Sequence, residues 1–297
     1  MKKRFYRRER DYERVYQLLV ETYKPGDRFR NWLPSRWEYM HFHSDYKDEH
    51  AENSGIWEDS GKIVAVVHNE LDLGEAFFTV HPDYEFLKPE MLDHAEHYLT
   101  KLLDDGTRKL TVYGNDFDED LSSLFSKKAF IKQEKHLYYY TICLIKESPI
   151  VGELPEGFKL KSLAEDNDLV KVDRVQWRGF NHEGESPEEG VAERELMQSA
   201  PNFRKDLTVV VEEPNGEFVS YVGMWLMDEL RVGYVEPVCT DPDYRRMGLG
   251  KIAVQESICR CMEAGAETVV VESSLPIYLS CGFQPKFVRY PWVKSFS

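Results

Sequence analysis

The apolar positions of this chain fall into two similar series. Near the start, "RFYRRER" (residues 4–10) alternates as a strand does, and "YERVYQLLVETY" (12–23) has the three- and four-residue spacing of a helix. Asp11 stands where a helix cap is expected. From residue 158, "FKLKSL" alternates again, the Asp-rich "AEDNDL" follows, and "VKVDRVQWRGF" returns to helical spacing. Each half then continues as three strands, a turn, a helix and a strand. Residues 54–70 read as a hairpin about Ser60-Gly61, and residues 206–227 as one about Asn215-Gly216. The strands "LGEAFFTV" (73–80) and "RVGYVEPVCT" (231–240) come next. Between the halves, "SPIVGELPEG" (148–157) has the prolines and glycines of a linker. The expected architecture is two α/β domains with mixed sheets, residues 1–149 and 150–297.

One pair of segments shows how the halves differ. "HPDYEFLKPE" (81–90) and "DPDYRRMGLG" (241–250) share a Pro-Asp-Tyr frame, but Arg245, Gly248 and Gly250 of the second are matched by Glu85, Lys88 and Glu90 of the first. The glycines of the second segment let the backbone turn sharply and bare several N–H groups. The helix that follows adds unsatisfied amides and its positive dipole end, and Arg245 and Arg246 add cations. Such a loop suits a diphosphate. In the first segment the carboxylates repel an anion and Pro89 removes an amide. Further on, "LTVYGNDFDEDLSSLFSKKAF" answers "TVVVESSLPIYLSCGF", and laying Ala129-Phe130 on Gly282-Phe283 puts Phe125 on Tyr278. Again the first copy lacks the polar group.

Composition narrows the function. The 297 residues suffice for two cores. No apolar run approaches the roughly 18 residues of a membrane span, and the basic N-terminus lacks the apolar stretch of a secretory signal. Five cysteines without paired spacing point to a reducing, cytoplasmic setting. The net charge is −15, with 22 Lys/Arg against 28 Asp/Glu in residues 1–150 and 16 against 25 in residues 151–297. An acidic field over both halves disfavours nucleic acid and suits a cationic amine.

The R-x-x-G-x-G of residues 245–250, set between a strand and a helix, resembles the acyl-CoA loop of the GNAT superfamily of N-acetyltransferases, and "IYLSCGF" resembles its later Y-x-x-x-G-F motif. The resemblance covers residues 151–297; the first half, through the internal repeat, looks like a degenerate GNAT domain that does not hold CoA. It implies acetyl-CoA as co-substrate and acetyl transfer to a primary amine by direct attack in a ternary complex. It implies that the backbone of Val238, Cys239 and Thr240 pairs with the pantetheine arm, one amide polarising the thioester carbonyl. Arg245, Arg246, Met247, Gly248, Leu249, Gly250 and Lys251 would hold the diphosphate. Tyr278 matches the tyrosine that donates a proton to the departing thiolate; the bland reading is that it packs, as Phe125 does. Glu236 shares a strand face with Val238 and Thr240 and is the candidate base or amine anchor, against a solvent-facing glutamate. Pro237 beside it favours a bulge. Trp177, Phe180, His182 and Glu183, in the region that covers the acceptor in this superfamily, are candidate substrate contacts, against an ordinary acidic loop.

Other groupings carry less. "HFHSDYKDEH" (41–50) matches no zinc spacing and reads as a surface loop, so no metal is expected. His94 and His97 have no further ligand beside them. Cys259 and Cys261 point to different faces of a helix, and Cys281 reads as a buried thiol. Two rival functions stay open: a CoA-responsive regulator without turnover, and an acyltransferase using a longer chain. The acceptor's identity and the oligomeric state are not legible.

Overall fold

The strand and helix periods of the sequence appear as elements in a computed structural model that describes residues 1–24, 28–144 and 149–296. In chain order it begins with β1 (Lys2–Phe5), α1 (Arg8–Thr22), α2 (Pro34–His41) and α3 (Asp48–Ala51). The hairpin β2 (Gly55–Asp59) and β3 (Lys62–His68), then β4 (Glu75–Val80), α4 (Lys88–Tyr98), β5 (Lys101–Leu102), β6 (Arg108–Asn115), α5 (Glu119–Lys127) and β7 (Ile131–Lys132) complete the first series. After β8 (Tyr138–Leu144) the pattern restarts with β9 (Lys159–Ser162), α6 (Leu169–Gly179), α7 (Gly190–Gln198), β10 (Val209–Glu212), β11 (Phe218–Met227), β12 (Val232–Thr240), α8 (Leu249–Glu263), β13 (Thr268–Val271), α9 (Pro276–Ser280) and β14 (Gln284–Phe296).

Two compact units result, and they do not follow the linker. One holds Met1–His41, Asp45–Tyr139 and Lys286–Ser297; the other holds Phe42–Ser44 and Tyr140–Pro285. The C-terminal strand β14 therefore pairs antiparallel with β6 of the first unit, Trp292 opposite Val112. In exchange, Thr141–Leu144 of β8 line up antiparallel with β13 of the second unit. A reading of linkers cannot see this exchange, because a boundary at 149/150 leaves each exchanged strand on the other side. Of the linker expected at 148–157, Ser148 lies outside the described residues.

Within the first unit, β1–β4 run antiparallel and β4 meets β6 in parallel through Glu75↔Thr111 and Ala76↔Val112. The second unit repeats this: β9–β12 are antiparallel and β12 meets β13 in parallel from Val232↔Thr268 to Tyr234↔Val270. The central strands of the second unit, β10, β11 and β13, are buried along their whole length, while the edge strand β9 is partly exposed. Helix α8 packs on this sheet through Ile252, Ala253, Val254 and Ile258, which join Val209, Val222, Met224 and Val269 in one core.

Two local expectations change. Helix α1 starts at Arg8, so Asp11 lies inside its first turn and not at its cap. Its buried carboxylate accepts the Arg7 N–H at 2.9 Å and the Arg4 guanidinium at 2.7 and 2.9 Å, which ties β1 to the helix. The histidine-rich segment is no surface loop at its start: His41 ends α2, is buried, and bonds the Tyr6 hydroxyl at 2.8 Å and Trp37 O at 2.7 Å. Burial pushes its imidazole well below the ordinary value, so it is neutral and structural.

Candidate active site

The site of the second unit begins where β12 and β13 stop pairing. Their parallel register ends at Tyr234↔Val270, while β12 runs on for six residues along β11 alone. Beside Glu236 and Pro237 the β11–β12 register slips by one residue between Val222 and Met224, the bulge that Pro237 favours. Beyond it Val238, Cys239 and Thr240, on an edge that β13 does not reach, line a cleft of about 740 Å3. Gly179, Tyr244, Ile277 and Tyr278 also face it. An unpaired strand edge of this kind offers N–H and C=O groups to an extended ligand as a neighbouring strand would.

One end of the cleft is the glycine loop, where Arg245, Arg246, Gly248, Leu249, Gly250 and Lys251 lie on the wall. Asp241 starts the turn by accepting the Asp243 N–H at 3.1 Å, and Tyr244 N donates to Asp241 O at 3.0 Å. Gly248 takes the left-handed backbone at φ +82, the conformation glycine adopts without strain, and α8 starts at the next residue. Gly250 is small for a different reason: a Cβ there would meet Thr240 Oγ1 at 3.0 Å and Ile277 Cδ1 at 3.2 Å. The helix start thus lies tight against the strand edge. As the first three residues of the helix, Leu249, Gly250 and Lys251 have amides with no intrahelical acceptor. Arg245, on the cleft wall, donates its guanidinium to Thr240 O at 3.0 Å and Gly179 O at 2.7 Å. Met247, placed in the loop by the sequence, is 42% exposed and is not on the cleft wall.

Tyr278 sits on α9, buried, with Phe283 edge-on at 5.8 Å between ring centroids. Burial first, then the negative charge of Glu236, pushes its phenol above the ordinary value. Glu236 itself is half-buried on β12 and, unlike Tyr278, does not line the cleft wall. Cys239 is buried, and its thiol is pushed up to about 12 by that burial. A thiol so held is not a thiolate at neutral pH.

The acceptor candidates gather around the end of α6 but not on the cleft wall. Trp177 stacks on His182 with centroids 4.3 Å apart and donates Nε1–H to Gly184 O at 3.1 Å. Phe180, His182 and Glu183 are exposed. Sequence reasoning missed Gly179, Tyr244 and Ile277 of the wall; Tyr244 was in sight, since the Pro-Asp-Tyr turn places it there.

The first unit has the same frame with its opening filled. His81 Nδ1 accepts the Asp83 N–H at 3.3 Å, and Tyr84 N donates to His81 O at 2.8 Å, as Asp241 and Tyr244 do. The later motifs agree too: Ala129 and Gly282 both have positive φ, while Phe130 N→Phe125 O (3.0 Å) matches Phe283 N→Tyr278 O (3.2 Å). The edge past the last pair of β4 is not free, however. Asn31 donates to Val80 O at 3.1 Å and accepts the Val80 N–H at 3.0 Å, so one carboxamide does the work of a paired strand. Across the gap, Asn115 of β6 donates to Arg30 O at 3.2 Å. Arg30 pairs with Glu85 and lies 3.7 Å from Asp118, and buried Lys88 holds Asp118 at 3.1 Å. Where the second unit bares amides and cations, the first has spent both on internal bonds.

A mixed sheet with one parallel pair that parts beside a turn and a helix start occurs in both units, and the glycine loop only in the second. Residues 170–283 match the family described as "Acetyltransferase (GNAT) family". The whole chain is similar in fold to a tandem GNAT protein from the clavulanic acid biosynthesis pathway, at 14% identity, 99% coverage of this chain and 98% of that one, and a TM-score of 0.67. It is similar also to a GCN5-related N-acetyltransferase from Sphaerobacter thermophilus (13% identity, 99% and 95% coverage, TM-score 0.65). A third likeness is to the N-myristoyltransferase of Saccharomyces cerevisiae with bound myristoyl-CoA (12% identity, 98% and 77% coverage, TM-score 0.56). A comparison with curated proteins finds no match. Among the described residues no helix is long and apolar enough to cross a membrane, and no cluster of His, Cys, Asp or Glu could hold a metal.

Proposed function

We propose that the second unit is an acetyl-CoA-dependent N-acetyltransferase acting on a primary amine of a small, cationic acceptor. The observation that carries this reading is the open edge of Val238–Thr240 leading from the glycine loop to Tyr278 along one cleft. Pantetheine would pair with that edge, the diphosphate would rest on the amides of Leu249–Lys251 with Arg246 and Lys251 beside them, and the thioester would lie near Tyr278. The amine nitrogen attacks the thioester carbonyl, the C–S bond breaks, and the thiolate leaves. Glu236, through its carboxylate or a water, takes the proton that the amine must lose. Because burial holds the Tyr278 phenol above its usual range, full transfer of its proton to a thiolate is uphill. Tyr278 then acts chiefly as a hydrogen-bond donor that stabilises the thiolate as charge develops. The inert Cys239 favours direct attack over an acyl-cysteine intermediate. The first unit, with its opening filled by Asn31, binds no CoA. The acidic composition of both halves supports a cationic acceptor, and five cysteines without paired spacing in the sequence support a cytoplasmic setting.

Release of CoA thiol from acetyl-CoA over a panel of amines tests the reading. Turnover with polyamines or aminoglycosides is expected. CoA binding without thiol release from any amine would leave a regulator, and turnover only with long-chain acyl-CoA would replace acetyl by a longer donor.

A further inference from the structure

Two arginines cross-brace the glycine loop to the end of α6, and they run in opposite directions. Arg178, in the last turn of α6, donates Nε–H to Asp241 at 2.5 Å and its Nη2 to Asp241 at 3.0 Å and to Asp243 at 2.6 Å. Arg245 returns from the loop to Gly179 O, the final residue of α6, and to Thr240 O. Asp241 is fully buried and stands between the last cleft residue of β12 and the turn that begins the loop. Arg174 adds a second cation 3.8 Å from its carboxylate. Bidentate guanidinium–carboxylate contacts of this kind fix geometry as well as adding energy.

We propose that Arg178, Asp241 and Arg245 are positioning residues that hold the glycine loop in its coenzyme-binding shape, and that Arg245 is not a phosphate ligand. The proposal rests on the reading of this cleft as the coenzyme site. Two features support it. Arg246 holds the left-handed backbone at φ +66, a conformation a non-glycine residue keeps only when its surroundings impose it. The first unit provides the internal contrast: there His81 replaces Asp241 and Glu85 replaces Arg245. Glu85 reaches Arg30, next to the Asn31 that fills the opening. The same frame position thus ties the loop to a helix end where the cleft is open, and to the filling segment where it is closed.

Calorimetric titration with CoA, beside acetyl-CoA kinetics and melting curves, decides the matter. Arg178→Ala is expected to raise the Kd for CoA, and the KM for acetyl-CoA, about tenfold or more, with kcat at saturation within about twofold, as loss of a charged hydrogen-bond pair implies. Arg178→Lys should recover part of the affinity, because it restores the charge without the fork. Arg245→Ala should weaken CoA by a similar factor at every salt concentration, leaving the salt dependence of wild type unchanged. A flattened salt dependence would make Arg245 a phosphate contact and overturn the proposal. So would wild-type CoA affinity in Arg178→Ala, or in the isosteric Asp241→Asn should Arg178→Ala fail to fold. Failure of the wild-type protein to bind CoA is a separate outcome, since it removes the coenzyme site itself.

Discussion

At the scale of single residues, burial beside the cleft raises both the Tyr278 phenol and the Cys239 thiol. Under the proposed role of Tyr278 at the leaving thiolate, Tyr278→Phe should lower kcat by about 10- to 100-fold while KM for acetyl-CoA changes little. Steady-state kinetics over a range of acetyl-CoA checks this; unchanged kcat would reduce Tyr278 to packing. The sign of the pH dependence follows from burial. A phenol raised above its ordinary value stays protonated through neutral pH, so no alkaline loss of rate is expected below about pH 10. The kcat/KM profile should instead climb with pH as the acceptor amine loses its proton. At the acid end Asp241 matters: burial alone would raise its carboxyl, but Arg178, the Asp243 N–H and Arg174 outweigh that and hold it below the usual range. A depressed carboxyl contributes stability above its unfolded value and loses it as pH falls through the folded one, so acid melting curves should show this part of the fold's stability lost only below the ordinary carboxylate range.

At the scale of elements, the two parted strand pairs are the same device in two states. Asn31 closes the first by bonding both backbone groups of Val80, and its Nδ2 also lies 2.8 Å from Thr22 Oγ1. Asn31→Ala strands two buried backbone groups and should cost about 2–4 kcal/mol, read as a lower denaturation midpoint, without creating a second CoA site. The hairpins, the glycine loop and the Pro-Asp-Tyr turns were legible in the sequence because each depends on neighbours a few residues away. The bulge beside Glu236 was legible for the same reason, through Pro237. The filling of the first opening was not, since Asn31 meets Val80 across 49 positions and an asparagine in a polar stretch carries no sign of its partner. Of Arg245 the charge was legible, while its two carbonyl partners, one of them 66 positions away, were not.

At the scale of the whole molecule, the strand exchange alters what counts as a domain. A fragment cut at the linker loses Thr141–Leu144, and with them one of the two strand partners of β13, which is buried throughout. Residues 138–285 should therefore melt at a higher temperature than residues 150–285, the shorter fragment exposing an apolar strand edge and tending to aggregate. Equal melting points would mean that β8 contributes nothing to the second unit. The repeat was visible in the sequence through its paired motifs, yet the exchange was hidden, because β8 and β14 are ordinary apolar strands whose partners nothing local specifies.

The most direct test of the account counts coenzyme sites. Titration of the intact chain with CoA by calorimetry should give one site per chain, abolished when Gly248 and Gly250 are both replaced by valine in a protein that still melts cooperatively. Two sites per chain, or full binding in that variant, would contradict an account in which only the open edge of the second unit receives the coenzyme.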